Sequence, residues 1–364
     1  MKKILVIGGT RPEIIKLAPL ILFAKEKFKN KIEIKFCCTQ QHFSLANSML
    51  LLFNLRSEFS LKLMKSNQTL DYISQKIFEK LPTIFEKFLP NIVIVQGDTT
   101  TAMITSLCAF HNKIPVAHVE SGLRSFDLFS PFPEEANRKI ISSIATYNFT
   151  PTEISRQNLL DENISENKIF ITGNTIIDSI NLIRRKNNLD NLISISNKIR
   201  KPFILITSHR RESIGIDLKN ICEAIKISAK KNPRYQFIFP IHLNPKVRKI
   251  VFAILKNLEN VLLIEPLDYI KFLTLIKHCE FIVTDSGGIQ EEAPSFKKYC
   301  IVVRNHTERI ESLKAKISEL VGTNTENICK AIERQIKNKS QIKISKNPYG
   351  DGMASEKILK ILSK

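Results

Sequence analysis

Short apolar runs alternate with longer amphipathic stretches along the whole chain. Residues 3–7 (KILVI), 33–38, 92–96 (IVIVQ), 115–119 (PVAHV) and 147–150 read as buried strands. Helical patterns lie between them, as from Pro12 to Phe28, where proline occupies the first turn. The second half repeats the scheme at 203–207 (FILIT), 236–241 (QFIFPI), 261–264 (VLLI), 281–284 (FIVT) and 300–303 (CIVV). Runs without alternation belong to strands covered on both faces, so the pattern predicts parallel sheets between helical layers. The expected fold class is α/β, with two doubly wound domains. The division is expected near Phe170 to Asp178, giving 1–172 and 173–352, with the charged, aromatic-free stretch 185–201 on the surface. Asn347-Pro-Tyr-Gly-Asp-Gly352 is a turn cluster before a last helix, 353–364.

A length of 364 residues fits two domains of roughly 150 residues each. No apolar run approaches the ~20 residues of a membrane helix. The opening MKKILVIGGTRPE reads as a first strand and not a signal peptide, because two glycines end its short apolar run. A cytoplasmic enzyme without membrane insertion is therefore expected. The seven cysteines form no C-x-x-C pair, which argues against a disulfide framework and against a zinc site. The net charge of +20 comes from lysines scattered over helical segments, and no RNA-binding motif with stacking aromatics accompanies it, so no nucleic-acid partner is expected.

Ligands of open α/β sheets bind beyond the carboxyl ends of strands, and the polar clusters of this chain sit there. Gly8-Gly-Thr-Arg-Pro-Glu13 follows the first strand; its glycines let backbone approach a ligand, and Arg11 and Lys16 add positive charge. It matches neither a dinucleotide fingerprint nor a Walker loop. Gly97-Asp-Thr-Thr-Thr101 places Asp98 at a strand end, where it could equally cap a helix. His118-Val-Glu-Ser-Gly-Leu-Arg124 and Ser130-Pro-Phe-Pro-Glu-Glu-Ala-Asn-Arg138 supply Glu120 and Glu134. Several carboxylates gathered at one sheet edge could supply a general base, although Glu134 and Glu135 also suit a helix dipole. In the second half, Thr207-Ser-His-Arg-Arg-Glu212 presents His209 beside two arginines, and Pro240-Ile-His-Leu-Asn-Pro245 presents His242. Asp285-Ser-Gly-Gly-Ile-Gln-Glu-Glu-Ala-Pro294 is the most specific cluster. Ser286, Gly287 and Gly288 can offer backbone N–H groups to a diphosphate, and Glu292 can accept from ribose hydroxyls. Arg309, after strand-like CIVVR, reads by itself as a solvated loop cation.

In order and spacing, GTRPE, GDTT, HVE-x-GLR, SP-aromatic-PEE-x-NR, HRRE, HLNP, TDSGG-x-QEEAP, TER and NPYGDG resemble the motifs of bacterial non-hydrolysing UDP-N-acetylglucosamine 2-epimerases. The resemblance covers essentially the whole chain. It implies a glycosyltransferase-B-like fold of two Rossmann-like domains with the active site in a cleft, a final helix returning to the first domain, and a homodimer. It implies that Asp98, Glu120, Glu134 and His209 are catalytic. Ser286, Gly287, Gly288 and Glu292 would hold diphosphate and ribose, Phe272 would lie near uracil, and Arg309, Arg11 and Lys16 near phosphate and sugar. The implied reaction needs no cofactor and no metal. It inverts C2 of a UDP-N-acetylhexosamine by elimination of UDP and re-addition. Gln41, His42, Gln68, Arg211 and His242 match part of a pocket for a second UDP-GlcNAc acting as activator. The sequence departs from the pattern at Gln96, where histidine is common, at Ile310, where proline follows TER, and at Lys316, where glycine is usual. A related UDP-sugar as substrate, or a glycosyltransferase of the same fold, are the alternatives.

Overall fold

The apolar run at the N-terminus becomes β1 (Lys2–Gly8), and the loop Gly9-Thr10 leads directly into α1 (Arg11–Lys27). The computed structural model describes all residues except 41–42, 66–67, 209–214 and 339–345, and only the backbone of 43–45. The β–α alternation continues through β2 (Ile32–Cys38), α2 (Phe43–Leu52), β3 (Phe59–Ser60), α3 (Leu70–Phe88), β4 (Ile92–Gln96), α4 (Thr100–His111) and β5 (Val116–Val119). It closes with α5 (Glu134–Ile144), β6 (Tyr147–Thr150), α6 (Glu153–Asp161), β7 (Ile169–Ile171) and α7 (Thr175–Lys186). These seven strands form one parallel sheet in the order β3-β2-β1-β4-β5-β6-β7.

The second sheet has six parallel strands in the order β10-β9-β8-β11-β12-β13. Its elements are β8 (Phe203–Thr207), α8 (Ile216–Lys231), β9 (Gln236–Pro240), α9 (Pro245–Leu255), β10 (Val261–Ile264), α10 (Tyr269–His278) and β11 (Phe281–Thr284). Then come α11 (Gly287–Glu292), β12 (Tyr299–Val302), α12 (Ile310–Lys314), β13 (Ser318–Leu320) and α13 (Thr325–Asn338). The predicted strands correspond to elements of these sheets. The edge strands β3, β7 and β13 were not expected, because two or three residues cannot show as an apolar run.

The central strands are buried along their length, which is why they read as unbroken apolar runs: every residue of β4, β5, β8 and β11 is buried. Helices bury one face each. α13, for example, buries Ile328, Cys329, Ala331 and Ile332 and leaves its charged face to solvent. Each sheet reverses its strand order once, between β1 and β4 and between β8 and β11. A doubly wound sheet opens a crevice at such a switch point, beyond the strand C-termini.

The chain divides into two units, Met1–Leu182 with Tyr349–Lys364, and Ile183–Pro348. The division falls inside α7, between Leu182 and Ile183. The closing segment joins the first unit through its backbone. Asn174 N–H donates to the Tyr349 carbonyl at 2.7 Å, and Gly350 (φ +129°) lies so close to Gly173 that a Cβ there would stand 3.1 Å from the Gly173 Cα. Asp178 of α7 then caps α14 (Ala354–Leu362), accepting the N–H groups of Ala354 at 3.3 Å and Ser355 at 2.9 Å. α14 buries Ile358, Leu359 and Leu362 completely. At roughly 1.5–3 kcal/mol for each such side chain, that face holds a helix too short to persist alone. No helix among the described residues is long and apolar enough to cross a membrane.

Candidate active site

In the first unit the polar clusters converge on the C-terminal ends of β1, β4 and β5, at the switch point. Thr10 caps α1 and forms a capping box with Glu13. Glu13 Oε2 accepts the N–H groups of Gly9 at 3.1 Å and Thr10 at 2.7 Å, while Oε1 accepts the Thr99 hydroxyl at 2.7 Å. Burial pushes this carboxyl above its ordinary pKa, and the donors around it pull it back down. Arg11 opens α1 and is partly buried.

Beyond β4 the chain turns at Gly97 (φ +71°), and α4 is capped by Thr99, whose hydroxyl accepts from Ala102 N–H at 3.0 Å. Asp98 is thus not the cap. Its carboxylate instead receives Arg138, which donates Nε at 2.9 Å and Nη2 at 2.6 Å to Oδ2. Asn137 donates its side-chain amide to the Asp98 carbonyl at 2.8 Å. Glu134 is the first residue of α5, one turn before Asn137 and Arg138, so it shares the helix face that meets the Asp98 loop. Glu135 is more than a dipole partner: its oxygens accept Ser125 N–H at 3.0 Å, Phe126 N–H at 3.3 Å and Arg138 Nη1 at 2.9 Å.

Glu120 stands one residue beyond β5 with φ +68°, a conformation that side chains other than glycine rarely adopt. Its Oε2 is ion-paired with Lys16 Nζ, the two side chains being 6% and 8% exposed, and also receives Asn174 Nδ2 at 3.2 Å. A buried carboxylate held in a strained backbone position is a frequent mark of function. Beside it His118 is wholly buried on β5, with Nε2 on the Gly97 carbonyl at 2.7 Å. Burial drives its pKa down to about 4 against the opposing pull of that bond, so the ring is neutral at pH 7 and donates from Nε2. Arg124 is fully buried against Glu162, at 2.9 Å from Nε and 2.6 Å from Nη2, and serves as a strut.

In the second unit the corresponding loop follows β11. Asp285 Oδ2 accepts the Ser208 hydroxyl at 2.9 Å, joining the ends of β8 and β11. Ser286 gives its N–H to Thr284 Oγ1 at 2.9 Å, which leaves Gly287 and Gly288, at the first turn of α11, as the backbone donors. A Cβ on Gly287 would stand 3.0 Å from the Arg309 guanidinium, so any larger residue there would press that cation aside. Arg309 is 7% exposed and lies between two acids, donating Nε to Glu291 at 2.9 Å and Nη1 to Glu308. The solvated loop cation that its sequence context favoured is therefore corrected to a buried one. Glu292 is buried and accepts the Tyr269 hydroxyl at 2.8 Å, and Phe272 lies partly buried on α10. His242 follows β9, is exposed, and its Nδ1 accepts Asn244 N–H at 3.1 Å; Gln68 is partly buried ahead of α3. His209, Arg211, Gln41 and His42 lie outside the described residues. No group of three or more His, Cys, Asp or Glu among the described residues is arranged to hold a metal ion.

A family model described as UDP-N-acetylglucosamine 2-epimerase matches residues 25–363. The chain belongs to the UDP-N-acetylglucosamine 2-epimerase family. A UDP-N-acetylglucosamine 2-epimerase of Campylobacter jejuni is 45% identical, covering 100% of this chain and 98% of its own. One of Escherichia coli K12 is 44% identical, covering 99% and 98%. A crystal structure of UDP-GlcNAc 2-epimerase from Neisseria meningitidis, bound to UDP-GlcNAc, superposes with a TM-score of 0.92 at 42% identity over 99% of both chains. The two-domain α/β architecture is that of these epimerases, glycosyltransferase-B-like, with parallel sheets and alternating helices.

Within this epimerase fold the sequence departures find physical places. Ile310 is the first residue of α12, where proline is favoured and an ordinary residue is tolerated. Lys316 has φ +56°, the left-handed region that glycine occupies without strain. Gln96 ends β4 and is buried. Glu13, Arg138, His118 and Asn174 were not singled out from sequence. The T-x-x-E spacing of Thr10 and Glu13 and the i,i+4 spacing of Glu134 and Arg138 were the available signals. Asn174 reaches Glu120 from 54 residues away and gave none.

Proposed function

We propose that this chain interconverts UDP-N-acetylglucosamine and UDP-N-acetylmannosamine without hydrolysing either. The observation that carries the reading is the pairing at adjoining strand ends: Asp98 with Arg138 and Glu120 with Lys16, each a carboxylate fixed by a buried cation. This pairing occurs in a family with a solved member bound to UDP-GlcNAc.

In this reading a first-unit carboxylate removes the C2 proton while the C1–O bond to UDP breaks, leaving 2-acetamidoglucal and UDP. UDP then re-adds at C1 and a proton returns to C2 from the opposite face. A C2–H is weakly acidic, so its removal needs departure of UDP in the same process, and cations beside the diphosphate stabilise the leaving group. Arg11, Lys16 and Arg309 are the candidates for that role, with Asp98, Glu120, Glu134 and His209 for proton transfer. Ser286, Gly287, Gly288 and Glu292 serve the diphosphate and ribose, and Phe272 serves the uracil. The reading includes a cytoplasmic homodimer and a second UDP-GlcNAc as activator at Gln41, His42, Gln68, Arg211 and His242. Sedimentation and the substrate dependence of the initial rate test those two features.

Proton NMR of the purified protein with UDP-GlcNAc tests the activity. Appearance of the UDP-ManNAc anomeric signal is expected. Free ManNAc accumulating with UDP would replace this reading with a hydrolysing one.

A further inference from the structure

Two of the proposed proton-transfer carboxylates are each secured from the first turns of one helix. Glu13 and Lys16 lie three residues apart on α1 and share a face. Lys16 reaches Glu120 beyond β5, and Glu13 reaches Thr99, the neighbour of Asp98 beyond β4. Glu13 is 1% exposed and accepts three hydrogen bonds from two loops, given by two backbone N–H groups and a hydroxyl. A buried carboxylate in that state is costly unless the donors are fully organised around it. A capping box is equally served by glutamine, so capping alone does not call for this charge. The hydrogen bond to Thr99 does. With both N–H groups on Oε2, the Thr99 hydroxyl needs an acceptor at the second oxygen, and only a carboxylate offers two.

We propose that Glu13 is a positioning residue for the epimerisation: it locks the Gly97–Thr99 loop so that Asp98 keeps a fixed spacing from Glu120, with α1 as the rigid spacer. The other anchors of that loop act on different atoms. His118 holds the Gly97 carbonyl, Asn137 the Asp98 carbonyl, and Arg138 the Asp98 carboxylate. Thr99 ties the loop to the helix carrying Lys16. The Thr99 hydroxyl accepts from Ala102 and donates to Glu13, so its orientation is fixed at both ends. Losing the Glu13 acceptor frees the hydroxyl proton and with it the loop, while the second unit and its nucleotide loop are untouched. The inference rests on the reading of Asp98 as part of the proton-transfer machinery.

The test compares Glu13→Gln, Thr99→Val, Thr99→Ser, the double variant Glu13→Gln/Thr99→Val, and Asp98→Asn. The readouts are kcat, KM, the Kd for UDP, and Tm. Glu13→Gln and Thr99→Val should each lower kcat roughly 10- to 100-fold, the scale of an ångström-sized misplacement. The Kd for UDP should stay within about twofold, well under the ~1.4 kcal/mol of a tenfold change. Thr99→Ser, which keeps the hydroxyl, should recover most of kcat. The double variant should be no slower than the slower single one, because both remove the same link. A Glu13→Gln enzyme with lower Tm but unchanged kcat would reduce Glu13 to a helix cap and overturn the inference, as would multiplicative effects in the double variant. If Glu13→Gln does not fold, the Thr99→Val and Thr99→Ser pair decides alone. Asp98→Asn separates the two levels. Near-normal turnover there removes Asp98 from the reaction and this inference with it, whereas an inactive Asp98→Asn beside a fully active Glu13→Gln overturns the positioning role only.

Discussion

The two units place polar chemistry at the same topological position, the strand order reversal of each sheet, but build it from different materials. In the first unit the groups at that position are side-chain carboxylates, three of them clamped. Asp98 is held by Arg138, Glu120 by Lys16 and Asn174, and Glu13 by two backbone N–H groups and a hydroxyl. In the second unit they are the backbone N–H groups at the start of a six-residue helix, with a cation sandwiched between Glu291 and Glu308 against Gly287. The first arrangement suits moving a proton, since a base must sit in one place relative to one C–H bond. The second suits holding a diphosphate, where several N–H groups share a diffuse charge. In the proposed reading one topology supports both tasks, and the residues after the strands decide between them.

Breaking the first unit's clamp should have the largest effect. Arg138→Met removes the cation that lies between Asp98 and the fully buried Glu135. Leaving one member of a buried pair behind costs on the order of 3–5 kcal/mol. Chemical denaturation is expected to show that loss, and a loss under 1 kcal/mol would mean the clamp is not what holds α5 to the Asp98 loop.

A somewhat smaller effect comes from pH. His118 is buried and neutral, with its pKa lowered from about 6.5 to about 4. Below pH 6.5 the unfolded chain takes up a proton that the folded chain refuses, so this stabilisation is complete above 6.5 and is lost as pH falls to 4. Over 2.5 pH units the loss reaches roughly 3 kcal/mol. Glu13 acts with the opposite sign, because its raised pKa favours the folded state at low pH and costs stability as pH rises. The difference between wild type and His118→Gln isolates the histidine, and the variant should show a flatter stability profile between pH 6.5 and 4. An unchanged slope would show that His118 is not the group responsible.

The smallest effect sharpens the comparison from the other side. Glu292→Gln keeps an acceptor for Tyr269 but gives up the charge offered to ribose hydroxyls. UDP affinity is expected to fall about tenfold, near 1.4 kcal/mol, while kcat at saturating substrate changes far less. A collapse of kcat at unchanged UDP affinity would place Glu292 in the chemistry and blur the division of labour.

Most of the architecture was legible because buried parallel strands are continuous apolar runs, and β4, β8, β10 and β11 begin and end where those runs do. The edge strands were not, being too short to leave a pattern. Of the site, the residues that follow strands directly (Asp98, Glu120 and the Ser286-Gly-Gly turn) stood out because their position is fixed by the strand before them. Their partners did not. Lys16 and Arg138 were visible as charges near motifs, yet which carboxylate each would meet depends on how α1 and α5 pack on the sheet. Arg309 looked solvated because nothing local reveals that Gly287, well before it in the chain, leaves room for its guanidinium. The capping role shifted from Asp98 to Thr99 by one residue, a difference that backbone geometry settles and composition cannot.

The central claim is that first-unit carboxylates transfer the C2 proton while the second unit holds UDP. It is tested most directly by following deuterium entry at C2 of UDP-GlcNAc in D2O for Asp98→Asn and Glu120→Gln, with UDP affinity measured in parallel by calorimetry. The account predicts that C2 exchange falls by about 10³-fold in each, within the range for losing a positioned acid or base, while UDP binds within a few-fold of wild type. Exchange at the wild-type rate in either variant, or loss of UDP binding together with exchange, would contradict it.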